Sequence, residues 1–142
     1  MDTRNPIKIL HLESATNICS VAISQDQDVL TLKESAESNS HSRLLTVFVE
    51  EALKELQLKV EDLDAISVSI GPGSYTGLRI GVSAAKGLAY GAGIPIISVD
   101  TLEILANRVR LEILPGLAFE ENQALFLRPL LDARRMEVYT TL

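Results

Sequence analysis

The chain holds one cysteine, no tryptophan and only 4% aromatic residues in a length of 142. A single thiol, Cys19, excludes a disulfide framework and any zinc site built on cysteine pairs. No apolar run approaches the ~20 residues that span a bilayer, so no membrane attachment is expected. Lys and Arg number 13 against 19 Asp and Glu, a formal charge of −6. Clustered cations able to grip a phosphate backbone are therefore missing from this chain. The start, Met1 to Pro6, carries Asp2 and Arg4, and the apolar stretch after it is broken by Lys8, His11 and Glu13. It reads as a strand rather than a signal peptide, and a cytoplasmic protein is expected. Hydrophobic residues make up 46%, ample for a core, which excludes wholesale disorder. The length fits one domain, or one domain and the start of another.

Charge and glycine are unevenly spread. Seven of the eight glycines fall between Gly71 and Gly93, and no Asp or Glu occurs from Ala65 to Val99, where only Arg79 and Lys86 are charged. From Asp26 to Asp64 there are ten acids and four bases. An acidic segment with a solvated helix face thus precedes a glycine-rich, weakly basic one.

The pattern predicts strands over Ile7–Leu12, Ile18–Ser24 and Val29–Glu34, joined by short polar turns as an antiparallel meander. A helix is expected from near Ser40–Ser42 to about Leu56, with hydroxyls available as caps. Leu45, Phe48, Val49, Ala52, Leu53 and Leu56 form its apolar stripe. Leu44 and Val47 lie off that stripe, so the first turns are apolar on two faces. Either another part of the chain covers the second face, or a partner does. A buried strand over Leu63–Ile70, a loop over Gly71–Tyr75, a helix over Thr76–Tyr90 and a strand over Ile94–Val99 follow. Asp100 or Thr101 caps a helix to about Arg110. Leu111–Asn122 reads as a loop. Ala124–Leu131 and Glu137–Thr141 read as strands around a charged turn, Asp132–Arg135. This order implies an α/β fold with a mixed sheet and flanking helices.

Gly71-Pro72-Gly73-Ser74-Tyr75-Thr76-Gly77-Leu78-Arg79 follows a strand and opens a helix. Amides at such a helix start can bind anions, and glycine permits close approach. Leu78 after Gly77 excludes a Walker A loop. The spacing of Gly71, Gly73 and Gly77 is one residue too long for the dinucleotide fingerprint, which also belongs in a first β-α turn. Gly77, Gly81, Ala85 and Ala89 recur every four residues as a smooth stripe. Interior Gly81 and Gly87 each cost about 1 kcal/mol relative to alanine, which implies a packing reason. The expected partner is the helix over Ser42–Leu56.

Other chemistry is sparse. His41 has no second ligand at i+4, so a metal site is not expected. His11 stands alone in a strand and reads as structural. Cys19 alternates with strand residues and reads as buried. Glu13, Ser14 and Thr16 occupy the first hairpin turn. There they either close the turn or face a nucleotide phosphate and its magnesium.

Taken in order, ILHLESATNICSVAIS, SNSHSRLLTVFVEEAL, DLDAISVSIGPGSYTGLRIGVSAAKGLAYG and PIISVDTLEILA resemble the TsaB family, bacterial tRNA threonylcarbamoyladenosine biosynthesis proteins. The resemblance covers nearly the whole chain, and GPGSYTGLRIG with the downstream SVDTLEILA is its most specific part. It implies one lobe of the actin-like ATPase fold, a ribonuclease H-like architecture shared with sugar kinases and Hsp70. Residues 1–110 would form that lobe. Residues 111–142, with DARRMEVY, would be a linker and the first hairpin of a truncated second lobe.

The resemblance further implies a non-catalytic subunit that pairs with the transferase TsaD through a helix bundle, with TsaE joining. The assembly moves a threonylcarbamoyl group to the adenosine following the anticodon, so tRNA is met indirectly. Leu44, Val47 and Phe48, with Gly77, Gly81 and Ala85, become the expected partner interface, and a homodimer is expected when the chain is alone. Glu13, Ser14, Thr16, Gly71, Gly73 and Ser74 become candidate nucleotide contacts. No cofactor is expected for the chain alone, with ATP or ADP bound only in the assembled complex. Family members usually carry Asp-Thr at the place of Glu13-Ser14, and that Asp approaches the nucleotide-bound metal in related ATPases. A stand-alone ATP-dependent or peptidase-like enzyme of the same fold is the alternative.

Overall fold

Leu10 and Leu12 alternate with His11 and Glu13 along the first strand, so one side of it turns to the core and the other stays polar. The computed structural model describes residues 5–36, 41–116 and 126–141. In it β1 (Lys8–Glu13), β2 (Cys19–Gln25) and β3 (Asp28–Ser35) form the expected meander. Helix α1 (His41–Glu55) follows, then β4 (Ala65–Ser69), α2 (Tyr75–Ala92), β5 (Ile96–Val99) and α3 (Thr101–Arg108). The five strands make one sheet in the order β3-β2-β1-β4-β5. β1 is antiparallel to β2 and parallel to β4, and β5 is parallel to β4.

The register sets the faces. Leu10 lies opposite Ile23 and beside Ile66, and Leu12 lies opposite Val21 and beside Val68. These six side chains are buried together with Leu45, Val49, Ala52 and Leu53 of α1 and Ala85 and Ala89 of α2. Both helices therefore cover the same side of the sheet, and they touch each other. Each fully buried Leu or Ile contributes about 1.5–3 kcal/mol relative to exposure.

Ends of the elements follow their chemistry. The Ser74 hydroxyl accepts the Gly77 amide at 3.2 Å and caps α2, which ends at Gly93 in the left-handed conformation, φ 70°. Asp100 caps α3 through the amides of Leu102 and Glu103. Asp26 and Asp64 anchor the first strand, their carboxylates accepting the amides of Ile7 and Lys8. Near the C-terminal end, β6 (Leu130–Arg134) and β7 (Glu137–Thr140) form a separate two-stranded sheet.

Several boundaries differ from the sequence pattern. The backbone after α3 stays helical through Gly116, as a wider turn over Val109–Ile113 and a 3-10 turn over Leu114–Gly116. Arg108 and Glu112, paired at 3.0 Å across one turn, accompany this extension. A further short 3-10 turn, Val60–Asp62, precedes β4. The strand expected from Ala124 begins only at Leu130, and residues 117–125 lie outside the described residues. Its turn falls later than Asp132–Arg135, because Arg134, Arg135 and Met136 are all left-handed, with φ of 66°, 54° and 62°. Ser40 and the His41 and Ser42 side chains also lie outside the described residues. No described helix is long and apolar enough to cross a membrane.

Candidate functional site at the glycine loop and helix α1

The turn after β1 and the glycine loop after β4 are locked together. The Ser74 amide donates to the Ala15 carbonyl at 2.7 Å, and the buried Ser14 hydroxyl donates to the Gly77 carbonyl at 2.9 Å. A Cβ added at Gly73 would strike the Ala15 carbonyl, one at Gly77 the Ser14 carbonyl, and one at Gly81 the Ser14 hydroxyl. The glycine half of the stripe, Gly77 and Gly81, is therefore a seat for the β1–β2 turn, with Val68 of β4 beside Gly81, whereas Ala85 and Ala89 share the core with α1. The stripe members Gly77, Gly81 and Ala85 are buried inside the lobe. As placed here they present no surface to another subunit, which corrects their assignment to the interface.

Gly87 is a different case, with nothing within 4 Å of its added Cβ. Close packing explains the helix-interior glycine at 81 but not the one at 87.

The candidate nucleotide contacts separate in the same way. The Glu13 carboxylate accepts the Ala15 amide at 2.6 Å and the Ser69 hydroxyl at 2.9 Å. Gly71, at φ +115°, is buried, and its carbonyl accepts the Thr101 amide at 2.8 Å. Thr16 accepts the Ile18 amide at 3.2 Å. Of the six, Thr16, Gly73 and Ser74 line a cleft of about 460 Å³, whereas Glu13, Ser14 and Gly71 are not part of its wall. Asn17, Tyr75, Thr76, Asp132, Arg134 and Tyr139 complete the polar lining. The sequence reading missed these, because the cleft forms where the hairpin β6–β7 meets the glycine loop.

On the polar side of the sheet, His11 sits between two hydroxyls, Ser67 at 2.8 Å from Nδ1 and Ser24 at 2.8 Å from Nε2. Burial holds the imidazole below its ordinary value. The alternation of serine in AISVS was the available signal, since Ser67 and Ser69 meet His11 and Glu13 across the β1–β4 pair. The fold disfavours protonated His11, so stability is full above the unfolded value near 6.5 and falls as pH drops below it. Melting at pH 7.5 and 5.5 should show a loss at the lower pH that His11→Gln reduces. An identical pH dependence in both proteins would remove His11 as the cause.

Cys19 is buried. Burial first, and the Glu13 charge second, push its thiol up, away from nucleophilic character.

Helix α1 carries the rest of the expected interface. Leu44 and Phe48 are half-buried and pack against the core, whereas Val47 is 38% exposed. Part of the second apolar face is thus covered within the chain, and Val47 stands at the open part. Arg43, Thr46, Glu50 and Lys54 are exposed around it. On the flank next to β3, Lys33 reaches α1 through Glu55 at 2.6 Å.

A mixed sheet begun by an antiparallel meander, covered by α1 and α2 and seated on a glycine loop, defines a lobe of the actin-like ATPase class. The family model described as TsaD, tRNA N6-adenosine threonylcarbamoyltransferase, matches residues 34–141, and the chain belongs to that family. Among its relatives are the tRNA threonylcarbamoyladenosine biosynthesis proteins TsaB of Haemophilus influenzae and Escherichia coli. They are 33% and 35% identical, over 94% of this chain and 52% and 53% of their own lengths. The solved structure of YeaZ from Pseudomonas aeruginosa superposes with a TM-score of 0.80 at 31% identity, covering 94% of this chain and 58% of that one. The chain spans about half the length of the curated relatives it matches.

Proposed function

We propose that the chain acts in tRNA threonylcarbamoyladenosine biosynthesis as a non-catalytic, TsaB-like subunit. It pairs with a TsaD homologue and, in the assembly, with a TsaE homologue, and meets tRNA only through them. The observation that carries this reading is Val47 on the open side of α1, with Leu44 and Phe48 half-exposed beside it, in a chain similar to TsaB over 94% of its length. Exposed apolar side chains on a helix otherwise lined by charge favour a protein partner. The same face pairs two copies when no partner is present. We read residues 1–110 as the interaction lobe and 111–142 as the linker and opening hairpin of a second one.

A non-catalytic role agrees with the fate of the Glu13 carboxylate, whose Oε1 serves the Ala15 amide and the Ser69 hydroxyl. Thr16, Gly73 and Ser74 leave a nucleotide contact to be completed by the assembled complex. Calorimetry with ATP and with ADP is expected to give no binding to the chain alone. Binding should appear after addition of the TsaD homologue. Hydrolysis of ATP by the chain alone, lost in Glu13→Ala, would instead establish an enzyme.

A further inference from the structure

The exposed flank of α2 carries a second surface, which shares only Tyr75 with the cleft described above. Tyr75, Arg79, Lys86 and Tyr90 fall within about 60° of one another on the helical wheel. The two tyrosines are 74% and 92% exposed, and Arg79 lies over the Tyr75 ring at 5.5 Å. Lys86 and Tyr90 border an apolar groove with Ile94 and Ile96, so the C-terminal end of this line overhangs the start of β5.

β5 is the edge strand beyond β4. Its Ile96 and Ile97 are 39% and 42% exposed. The Pro95 and Val99 carbonyls accept the amides of Ile66 and Ile70, both at 3.0 Å. By the alternation of a parallel ladder, the main-chain groups of Ile96 and Ser98 point to the open edge.

The two edges of this sheet are treated differently. β3 carries Asp28, Lys33 and Glu34 and bulges at Leu30, opposite Ile23/Ser24, devices that discourage pairing. β5 carries no charge and no bulge within Ile96–Val99. The nearest charges along α2 are the cations Arg79 and Lys86, which make no ion pair among the described residues. Because α2 returns antiparallel to β5, Lys86 and Arg79 follow the strand's length. They are about 10 Å apart by helical rise, matching about 10 Å from Ile96 to Val99.

We propose that the β5 edge receives an extended acidic segment of a protein partner. The segment adds as a strand to Ile96 and Ser98. Its carboxylates meet Lys86 and Arg79, and its apolar side chains meet Ile96 and Tyr90. Two cations are too few to hold a nucleic acid on a chain of net charge −6, so a peptide is the class that fits.

The test is a titration of the whole 142-residue chain, isotopically labelled, with a short peptide of alternating valine and glutamate. An alternating valine and lysine peptide serves as comparison. The acidic peptide should shift the amide resonances of Ile96 and Ser98 and leave those around Val47 in place. Arg79→Glu with Lys86→Glu should weaken it at least about tenfold. Ser98→Pro, which removes only an outward amide, should do the same with an unchanged fold.

Equal binding of the lysine peptide, or shifts around Val47 instead, would overturn the proposal. So would no shift at Ile96 and Ser98, or self-association through this edge that Ser98→Pro abolishes. Loss of TsaD-homologue binding in Val47→Glu is read separately, so this site and the α1 face stand or fall apart.

Discussion

Replacing Gly77 by alanine is expected to destabilise the protein by about 2–3 kcal/mol, although alanine is the better helix former. The new methyl would meet the Ser14 carbonyl, a backbone group fixed from both sides. Ser14 donates its own hydroxyl to the Gly77 carbonyl, and the next residue, Ala15, accepts the Ser74 amide. The turn cannot retreat without breaking those bonds, so overpacking at the upper end of its usual ~1–3 kcal/mol is expected. The melting temperature should fall by roughly 8–12 °C at roughly 4 °C per kcal/mol.

The same substitution at Gly87 should do the reverse. Nothing lies within 4 Å of the added Cβ there, so up to about 1 kcal/mol of helix propensity is recovered. Thermal melting of the two variants beside the parent decides the matter. A Gly77→Ala protein that melts within a degree of the parent would show that the β1–β2 turn is not seated on α2. Gly81→Ala should fall between them, because its clash is with the Ser14 hydroxyl, a side-chain atom that can turn away at the cost of one buried hydrogen bond.

Val47→Glu is expected to abolish capture of the cognate TsaD homologue while leaving the fold intact. Val47 is on the open side of α1, so the carboxylate stays solvated in the free chain. At a docked interface it would be desolvated without a partner, a loss of about 2–4 kcal/mol or roughly 30- to 1000-fold in affinity. Leu44→Glu should also break capture, but its half-buried side chain touches the core, so it should cost stability too. Comparing the melting temperature with the pull-down separates the two effects. Undiminished capture by folded Val47→Glu would refute the α1 interface. Light scattering of the chain alone should give a dimer that Val47→Glu converts to a monomer.

Much of the lobe was legible because periodicity reports burial directly. Leu45, Val49, Ala52 and Leu53 all sit where helical spacing put them. The C-terminal part was harder to read. Leu111–Gly116 has no strong period, and Pro115 and Gly116 suggest a loop, yet the backbone continues helically to Gly116. A left-handed turn of Arg134, Arg135 and Met136 carries no glycine or asparagine to announce it.

The candidate site divides the same way. That Gly77 and Gly81 belong to a closely packed stripe followed from their four-residue spacing and from the cost of glycine at 81, although the same cost at Gly87 answers to no packing. What packs there did not follow, since Ser14 is more than sixty positions away and reaches them only through the β1–β4 pairing. Likewise Glu13 read first as a turn residue, with a nucleotide contact as the other reading. The Ala15 amide closes the turn on its carboxylate, and Ser69, two residues along β4 from Ser67 and across from β1, adds the partner that only the tertiary fold supplies.

The sequence alone determined the scarcity of cysteine and aromatic residues, the acidic balance, the acid-free glycine segment and the order of the elements. These are properties of composition and local spacing, and they survive any arrangement of the chain. Tertiary structure alone decided that the small-residue stripe faces inward, that Val47 stays outside while Leu44 and Phe48 turn halfway in, and that Lys86 and Tyr90 border a groove with Ile96 of an open edge strand. Each depends on which side of a helix meets the sheet. Sheet order and register settle that, and they arise from contacts between residues far apart in the chain.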